Sequence, residues 1–103
     1  GDLFNYYQFI KELMVTLRKL ITYTAKYLIK NKNTLEAKRL MGLLLERNFD
    51  DTEYLLDSYE IAALLQDKVW ASEIYYQISK VYEKRPYDLK LAKFINPDVN
   101  LIN

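Results

Sequence analysis

Residues 3–30 read LFNYYQFIKELMVTLRKLITYTAKYLIK and contain neither Gly nor Pro. Most of the apolar positions recur at intervals of three and four residues, which is typical of one face of an α-helix. This first row consists of Leu3, Tyr6, Ile10, Leu13, Leu17, Leu20, Thr24 and Tyr27. A second row, one position further on, consists of Tyr7, Met14, Ile21 and Leu28. Together the rows are wide enough for a core-facing stripe, so we predict a helix of about 42 Å that forms the spine of the fold.

Further apolar residues of this stretch lie outside the two rows, at Phe9, Val15, Tyr23 and Ile29. Large apolar side chains on several sides of one helix indicate that more than one side is covered. The cover can come from the rest of the chain, from a neighbouring segment of a longer protein, or from a partner. We favour neighbouring protein.

Length and composition predict a single helical domain over residues 1–103. Half of the residues are hydrophobic, which argues against disorder. Only two Gly and two Pro are present, which favours helices with short connections over a turn-rich β fold. Because the first residue is Gly1 rather than Met, we interpret the chain as a fragment of a longer protein.

The residue types that are missing limit the possible chemistry. The chain has no Cys and no His, which excludes disulfides, thiol nucleophiles, His-based metal sites and Ser-His-Asp triads. It also has no Gly-rich phosphate loop. Acidic pairs such as Asp57 and Glu60 could bind a hard cation, but capping and solubility explain them as well. We therefore predict that the protein is not an enzyme and uses neither a cofactor nor a metal.

Membrane insertion is not expected from the sequence. Lys11, Glu12, Arg18 and Lys19 interrupt the long helix, so no apolar run reaches the roughly 18 residues that a membrane span needs. No signal peptide is visible. We expect an intracellular, cytoplasmic protein, although the absence of Cys is compatible with any compartment.

The net charge of +1 hides a strong segregation of charge along the chain. Residues 1–39 carry +5, residues 40–79 carry −6, and residues 80–103 carry +2. One interpretation is that oppositely charged parts face each other across the fold, and we favour it because charge runs on helices are usually solvated faces. The alternative is a basic surface, built from Lys26, Lys30, Lys32, Lys38 and Arg39.

Four further helices are predicted, at about residues 34–47, 51–66, 68–84 and 87–95. Asp50 and Glu53 have the spacing of a capping box, with Phe49 and Tyr54 placed for a hydrophobic staple. Asp67 is the expected cap of the fourth helix, and Pro86 ends that helix. Gly42 lies inside the second helix, where we expect another helix to approach closely.

Short connections make consecutive helices antiparallel neighbours, which predicts an all-α, up-down array of about five helices. The array can be closed as a bundle or open as a stack of hairpins. The predicted core consists of Leu13, Leu17, Leu20, Leu44, Ile61, Leu65, Ile74 and Ile78. Leu17→Ala or Ile78→Ala should each cost about 2–5 kcal/mol if the residue is fully buried.

Residues 55–86, two helices with a tight turn and a terminal Pro86, resemble a tetratricopeptide-type repeat. The large-small pair Ile61-Ala62 and Pro86 match that family's pattern. Ser58, Ile74 and Val81 depart from it, and no Gly marks the turn. The resemblance implies a scaffold that binds other proteins in a groove lined by the first helix of each pair.

These observations lead to two hypotheses about function. The first is a protein–protein interaction module, a scaffold or adaptor, whose partner is another protein or another segment of the parent protein. Its predicted partner-binding residues are Tyr23, Lys26, Lys30, Lys38, Arg39 and Tyr76. The alternative is an RNA-binding helical-repeat domain that uses the interleaved Lys, Arg and Tyr side chains. The near-neutral charge argues against nucleic acid.

Overall fold

The computed structural model describes residues 1–47 and 52–98, with side chains described for residues 1–43 and 52–98. In these ranges the chain is all-α, with five helices and no strand. The helices are α1 (Asp2–Lys30), α2 (Thr34–Arg47), α3 (Glu53–Leu64), α4 (Lys68–Lys84) and α5 (Leu89–Ile95). The predicted fold class is confirmed, and each predicted boundary lies within two residues of the observed one.

Local side-chain chemistry explains where the later helices begin and end. The Asp67 carboxylate accepts a hydrogen bond of 3.1 Å from the Trp70 backbone N–H, which confirms the predicted cap of α4. The helix ends at Lys84, shortly before Pro86. Asp88 caps α5 in the same way, a feature that the sequence analysis did not identify. The predicted capping box of Asp50 and the staple of Phe49 lie outside the described residues.

The helices pack as an open array. α1 packs against α2 and α3, α3 also packs against α2 and α4, and α5 packs against α4. No Cα atom of α1 comes within 8 Å of a Cα atom of α4, so the first and fourth helices do not close a bundle. Side chains of α5 also contact α3, where the rings of Tyr59 and Phe94 meet edge to face at 4.9 Å between centroids.

The core runs along the middle of this array and draws residues from all five helices. Its fully packed members are Ala25, Ala37, Met41, Leu55, Ile61, Ala62, Trp70, Ile74, Ile78 and Leu91. The cluster combines small Ala residues with larger apolar side chains. Ala25 of α1 is completely buried in it, together with Ala37 and Met41 of α2.

The structure corrects the predicted orientation of α1. The side chains of Leu13, Leu17 and Leu20, expected in the core, are 51 %, 40 % and 62 % exposed. The buried positions of the helix are Arg18, Thr22 and Ala25. The partly buried Met14, Ile21 and Leu28 of the predicted second row flank them. The helix therefore packs on the less apolar of its two faces.

Most of the core positions predicted outside α1 are confirmed. Ile61, Ile74 and Ile78 are buried as expected, and Leu65 is partly buried. The side chain of Leu44 is outside the described residues. The close approach expected at Gly42 is not found among the described residues, where a Cβ added there would meet no atom within 4 Å. Gly42 thus carries the usual helix penalty of about 1 kcal/mol relative to Ala without a packing reason among these residues.

Candidate protein-binding surface

One face of α1 presents a long apolar strip to solvent. We define this outer face by the first row of the sequence, namely Leu3, Tyr6, Ile10, Leu13, Leu17, Leu20, Thr24 and Tyr27. Its six Leu and Tyr side chains are 40–66 % exposed. Their spacing of alternately three and four residues places them along one side of the helix. An ordered apolar strip of this kind is a frequent mark of a protein interaction surface.

The first half of α1 is apolar on several sides. The first residue of this helix to pack against the core is Met14, so residues 1–13 extend beyond the packed helices. We define the inner face as the side of α1 that packs against the other helices, formed by Met14, Arg18, Ile21, Thr22, Ala25 and Leu28. Phe4 and Tyr7 follow the line of this face towards the start of the helix, yet they are 68 % and 63 % exposed. Phe9, on a third side, is 60 % exposed. A helix that is apolar around most of its circumference is usually surrounded by protein.

Two of the predicted partner-binding cations are already paired within the fold. Lys26 Nζ lies 2.9 Å from Glu60 Oε1 on α3. Lys38 Nζ lies 2.6 Å from Asp67 Oδ2, and the same ammonium group is 5.5 Å from the centroid of the Trp70 ring. These contacts join the basic first part of the chain to its acidic middle part, as the favoured interpretation of the charge segregation expects.

The other predicted residues are exposed but dispersed. Tyr23 is 78 % exposed and borders the outer face of α1. Lys30 ends the same helix and is exposed, and Arg39 forms a surface ion pair with Glu36 at 3.2 Å. Tyr76, 63 % exposed, lies on α4, with Lys80 Nζ at 5.3 Å from its ring centroid. Tyr23 and Tyr76 thus lie on two helices that have no Cα atoms within 8 Å of each other.

A buried ion-pair cluster holds the inner face of α1 against α3. The Arg18 side chain is only 3 % exposed. Its Nη1 donates to Asp57 Oδ2 at 2.5 Å, and its Nη2 donates to Glu53 Oε2 at 3.1 Å. Lys90 of α5 also forms an ion pair with Glu53. The cluster links α1, α3 and α5, which makes it a fixed structural feature rather than a free binding group.

Sequence reasoning missed this role of Arg18. It treated Arg18 only as a charge that interrupts an apolar helix. The available signal was its position four residues after Met14 and three before Ile21, on the line of the second row. The opposite net charges of residues 1–39 and 40–79 supplied a second signal, because a buried cation needs anions from elsewhere in the chain.

The pKa shifts of the acidic groups follow their surroundings. Burial raises the pKa of Asp57, and the nearby Arg18 guanidinium opposes that rise. Asp67 behaves oppositely, because the hydrogen bonds from Lys38 and from the Trp70 backbone N–H lower the pKa of its carboxyl group. Burial raises the pKa of the Tyr54 hydroxyl. The pKa of Asp57 is thus governed by its burial between helices, and that of Asp67 by its hydrogen bonds.

Other kinds of site were also sought in the described part of the chain. A shallow concavity lies between α3 and α5, lined by Glu53, Leu56, Asp57, Lys90, Lys93 and Phe94. Among residues 1–47 and 52–98, no group of three or more Asp and Glu side chains is arranged to hold a metal ion. Every helix in these ranges lacks the length or the apolar content needed to cross a membrane. The outer face of α1, with its row of exposed Leu and Tyr side chains, is the candidate protein-binding surface.

Comparisons with known proteins find no relative: no protein-family model, no curated protein and no solved structure matches this chain.

Proposed function

We propose that the protein is a non-enzymatic interaction module, and that the outer face of α1 binds a helix on the surface of another protein. The observation that carries the proposal is the exposed heptad strip of that face. Helical hairpins stacked beside it act as a scaffold that keeps α1 straight and presents its apolar side. An intracellular, cytoplasmic setting is part of the proposal.

A helix is the ligand that best suits this surface. Apolar residues at alternate intervals of three and four form the a and d positions of a coiled-coil seam, which packs against the same pattern on a second helix. Six exposed Leu and Tyr side chains along the seam provide the apolar anchors that dominate such interfaces. Tyr23 beside the strip supplies a further aromatic anchor.

Apolar contacts, rather than the predicted cations, provide most of the binding surface in this proposal. Lys26 and Lys38 are engaged by Glu60 and Asp67, so a partner that used them would have to replace these ion pairs. Lys30 and Tyr23 are exposed beside the outer face and remain candidate contacts. We also retain the tetratricopeptide-like hairpin as part of the proposal, supported by the way in which α3 packs against both helices of the preceding hairpin.

The test is capture of binding partners from a lysate of the source cells, with and without nuclease treatment. The immobilised wild-type chain is compared with the double variant Leu13→Lys/Leu20→Lys, and with Leu35→Lys as a control. Leu35 is 70 % exposed and lies on α2, away from the outer face. We expect the wild type and the control to retain the same protein after nuclease treatment, and the double variant to lose it.

Two results would contradict the proposal. Equal retention of that protein by the double variant would show that the outer face is not the binding surface. Recovery of RNA alone, removed by nuclease and by reversal of the charges of Lys26, Lys30 and Arg39, would favour the RNA-binding alternative instead.

A further inference from the structure

We propose that the helix bound by the outer face of α1 is α1 of a second copy of the chain, in antiparallel orientation. This inference rests on the proposed function and names its partner. It is carried by the arrangement of apolar layers and of charges along α1.

The outer faces of two copies are complementary when the two α1 helices run antiparallel. The four a positions of the heptad pattern are Leu3, Ile10, Leu17 and Thr24, and its four d positions are Tyr6, Leu13, Leu20 and Tyr27. In an antiparallel pair, an a position of one helix faces a d position of the other. Full overlap places Leu3 opposite Tyr27 of the second copy, Ile10 opposite Leu20, and Leu13 opposite Leu17. Every position then has a partner, and the two-fold axis passes close to Val15 and Thr16.

The g positions, each of which directly precedes an a position and lies along one edge of the seam, favour the same orientation. With this overlap, Asp2 lies beside Lys30 of the second copy, and Phe9 lies beside Tyr23. Thr16 meets its own equivalent near the two-fold axis. Asp2, Phe9, Tyr23 and Lys30 are all exposed in the single chain. The antiparallel pair therefore gains two symmetric ion pairs and two aromatic contacts along one edge of the seam.

A parallel pair lacks this charge complementarity. The first half of α1 carries a net charge of −1, from Asp2, Lys11 and Glu12, whereas the second half carries only cations, namely Arg18, Lys19, Lys26 and Lys30. Parallel alignment would place the cationic halves at the same height, and like charges in register destabilise an association. Antiparallel alignment instead places the cationic half of each helix alongside the half that carries both carboxylates.

The antiparallel arrangement also accounts for the exposed aromatics of the inner face. A two-fold axis perpendicular to both helices keeps the two sets of packed helices on the same side of the pair, at opposite ends. The packed helices of the second copy then stand beside residues 1–13 of the first. Phe4 and Tyr7, which continue the inner face beyond its own core, are thereby brought next to protein. The second copy thus covers both the outer and the inner side of residues 1–13.

Mass measurement across a concentration series is the first test. By sedimentation or by light scattering, we expect the wild type and Leu35→Lys to change from monomer to dimer as concentration rises. Leu13→Lys/Leu20→Lys should weaken the dimer at least tenfold, with an unchanged helical circular dichroism spectrum. A wild type that stays monomeric at every concentration, or forms only larger assemblies, would overturn the inference.

Orientation is tested with single cysteines, because the chain contains none of its own. Thr16→Cys should form an interchain disulfide under mild oxidation. Leu3→Cys should not, because an antiparallel overlap sets the two Leu3 positions about 36 Å apart, at 1.5 Å per residue. The opposite result, with Leu3→Cys cross-linked and Thr16→Cys not, would indicate a parallel pair and overturn the inference.

The two proposals can fail separately. A monomeric wild-type chain that still captures a different protein through the outer face would remove the second copy and keep the interaction module. A monomeric chain with no capture dependent on the outer face would overturn both.

Discussion

The two long faces of α1 differ in a way that runs against their composition. The outer face carries four Leu, one Ile and two Tyr among its eight positions, and it is largely exposed. The inner face carries Arg18, Thr22 and Ala25 at its buried positions. The partly buried Met14, Ile21 and Leu28 flank these positions, so the inner face is apolar as well, and apolar content alone does not decide which side of this helix packs within the chain. Space for close approach and the supply of opposite charge decide it here.

The inner face meets both of these conditions. Ala25 of this face is completely buried in the same core cluster as Ala37 and Met41 of α2, where α1 and α2 pack together. Arg18 receives two carboxylates from α3, without which burial of a guanidinium group would be strongly unfavourable. The larger Leu and Tyr side chains of the outer face suit a second helix whose residues interdigitate with them.

Truncation on each surface should separate the core from the outer face. Ile78 of α4 is completely buried, so Ile78→Ala should cost about 2–5 kcal/mol of unfolding free energy. Leu17 is 40 % exposed, so Leu17→Ala should cost about 1 kcal/mol or less. Chemical denaturation at a concentration where the chain is monomeric measures both. Equal losses at the two sites would place Leu17 in the core and refute the described orientation of α1.

The buried charge of the inner face gives the second prediction. Arg18→Met should cost about 3 kcal/mol, because it leaves Asp57 and Glu53 without their shared cation. Lys19→Met is the matched control on the exposed neighbouring position, and it should change the unfolding free energy by less than about 0.5 kcal/mol. An Arg18→Met variant as stable as the control would show that the cluster contributes nothing to the attachment of α1.

Thr22 offers a change in the opposite direction. Its hydroxyl is buried, and no hydrogen-bond partner for it is found among the residues that the structure describes. Thr22→Val should therefore raise the unfolding free energy, by about 1 kcal/mol, because an unpaired buried polar group is removed. Thr24→Val, at an exposed position, makes the same change in helix propensity but removes a paired hydroxyl, which donates to the Leu20 carbonyl at 2.8 Å, so it should bring no gain in stability. A loss of stability specific to Thr22→Val would indicate that the hydroxyl is paired.

The smallest expected change in stability is at the ion pair of Lys38 and Asp67, which is more exposed than the Arg18 cluster. Asp67→Asn keeps a capping side chain for α4 but removes the charge. The folded pKa of Asp67 lies below its ordinary value of 3.8, so the charged form is favoured by folding. The stability advantage of the wild type should thus be present at neutral pH and disappear as pH falls through the folded pKa. An advantage that grew on acidification would contradict the pairing.

Much of the fold could be predicted from local patterns. Pro86 and Asp67 mark helix boundaries through backbone chemistry that acts within a few residues, and the periods of three and four identify the helices between them. The face of α1 could not be predicted in this way. Its choice depends on Glu53 and Asp57, which lie 35 and 39 residues from Arg18. A stripe search that rewards apolar content selects the outer face and passes over Arg18.

The candidate surface was predicted in part. The off-stripe aromatics predict that α1 is covered on more than one side, which stays a prediction, and Tyr23 is exposed next to the outer face. The basic residues were harder to assess, because Lys26 and Lys38 have the same sequence signature whether they are free or paired. Only the folded positions of Glu60 and Asp67 distinguish the two cases.

The most direct test of the contrast between the faces is thiol labelling of two single-cysteine variants, Leu20→Cys and Thr22→Cys, over a range of protein concentrations. Thr22 is buried on the inner face and close in size to Cys, so Thr22→Cys should be protected at every concentration and react only when the fold opens. Leu20→Cys should react rapidly in dilute solution and become protected as concentration rises and the outer face is covered. Rapid labelling of Thr22→Cys in the folded protein, or protection of Leu20→Cys at all dilutions, would contradict this account of α1.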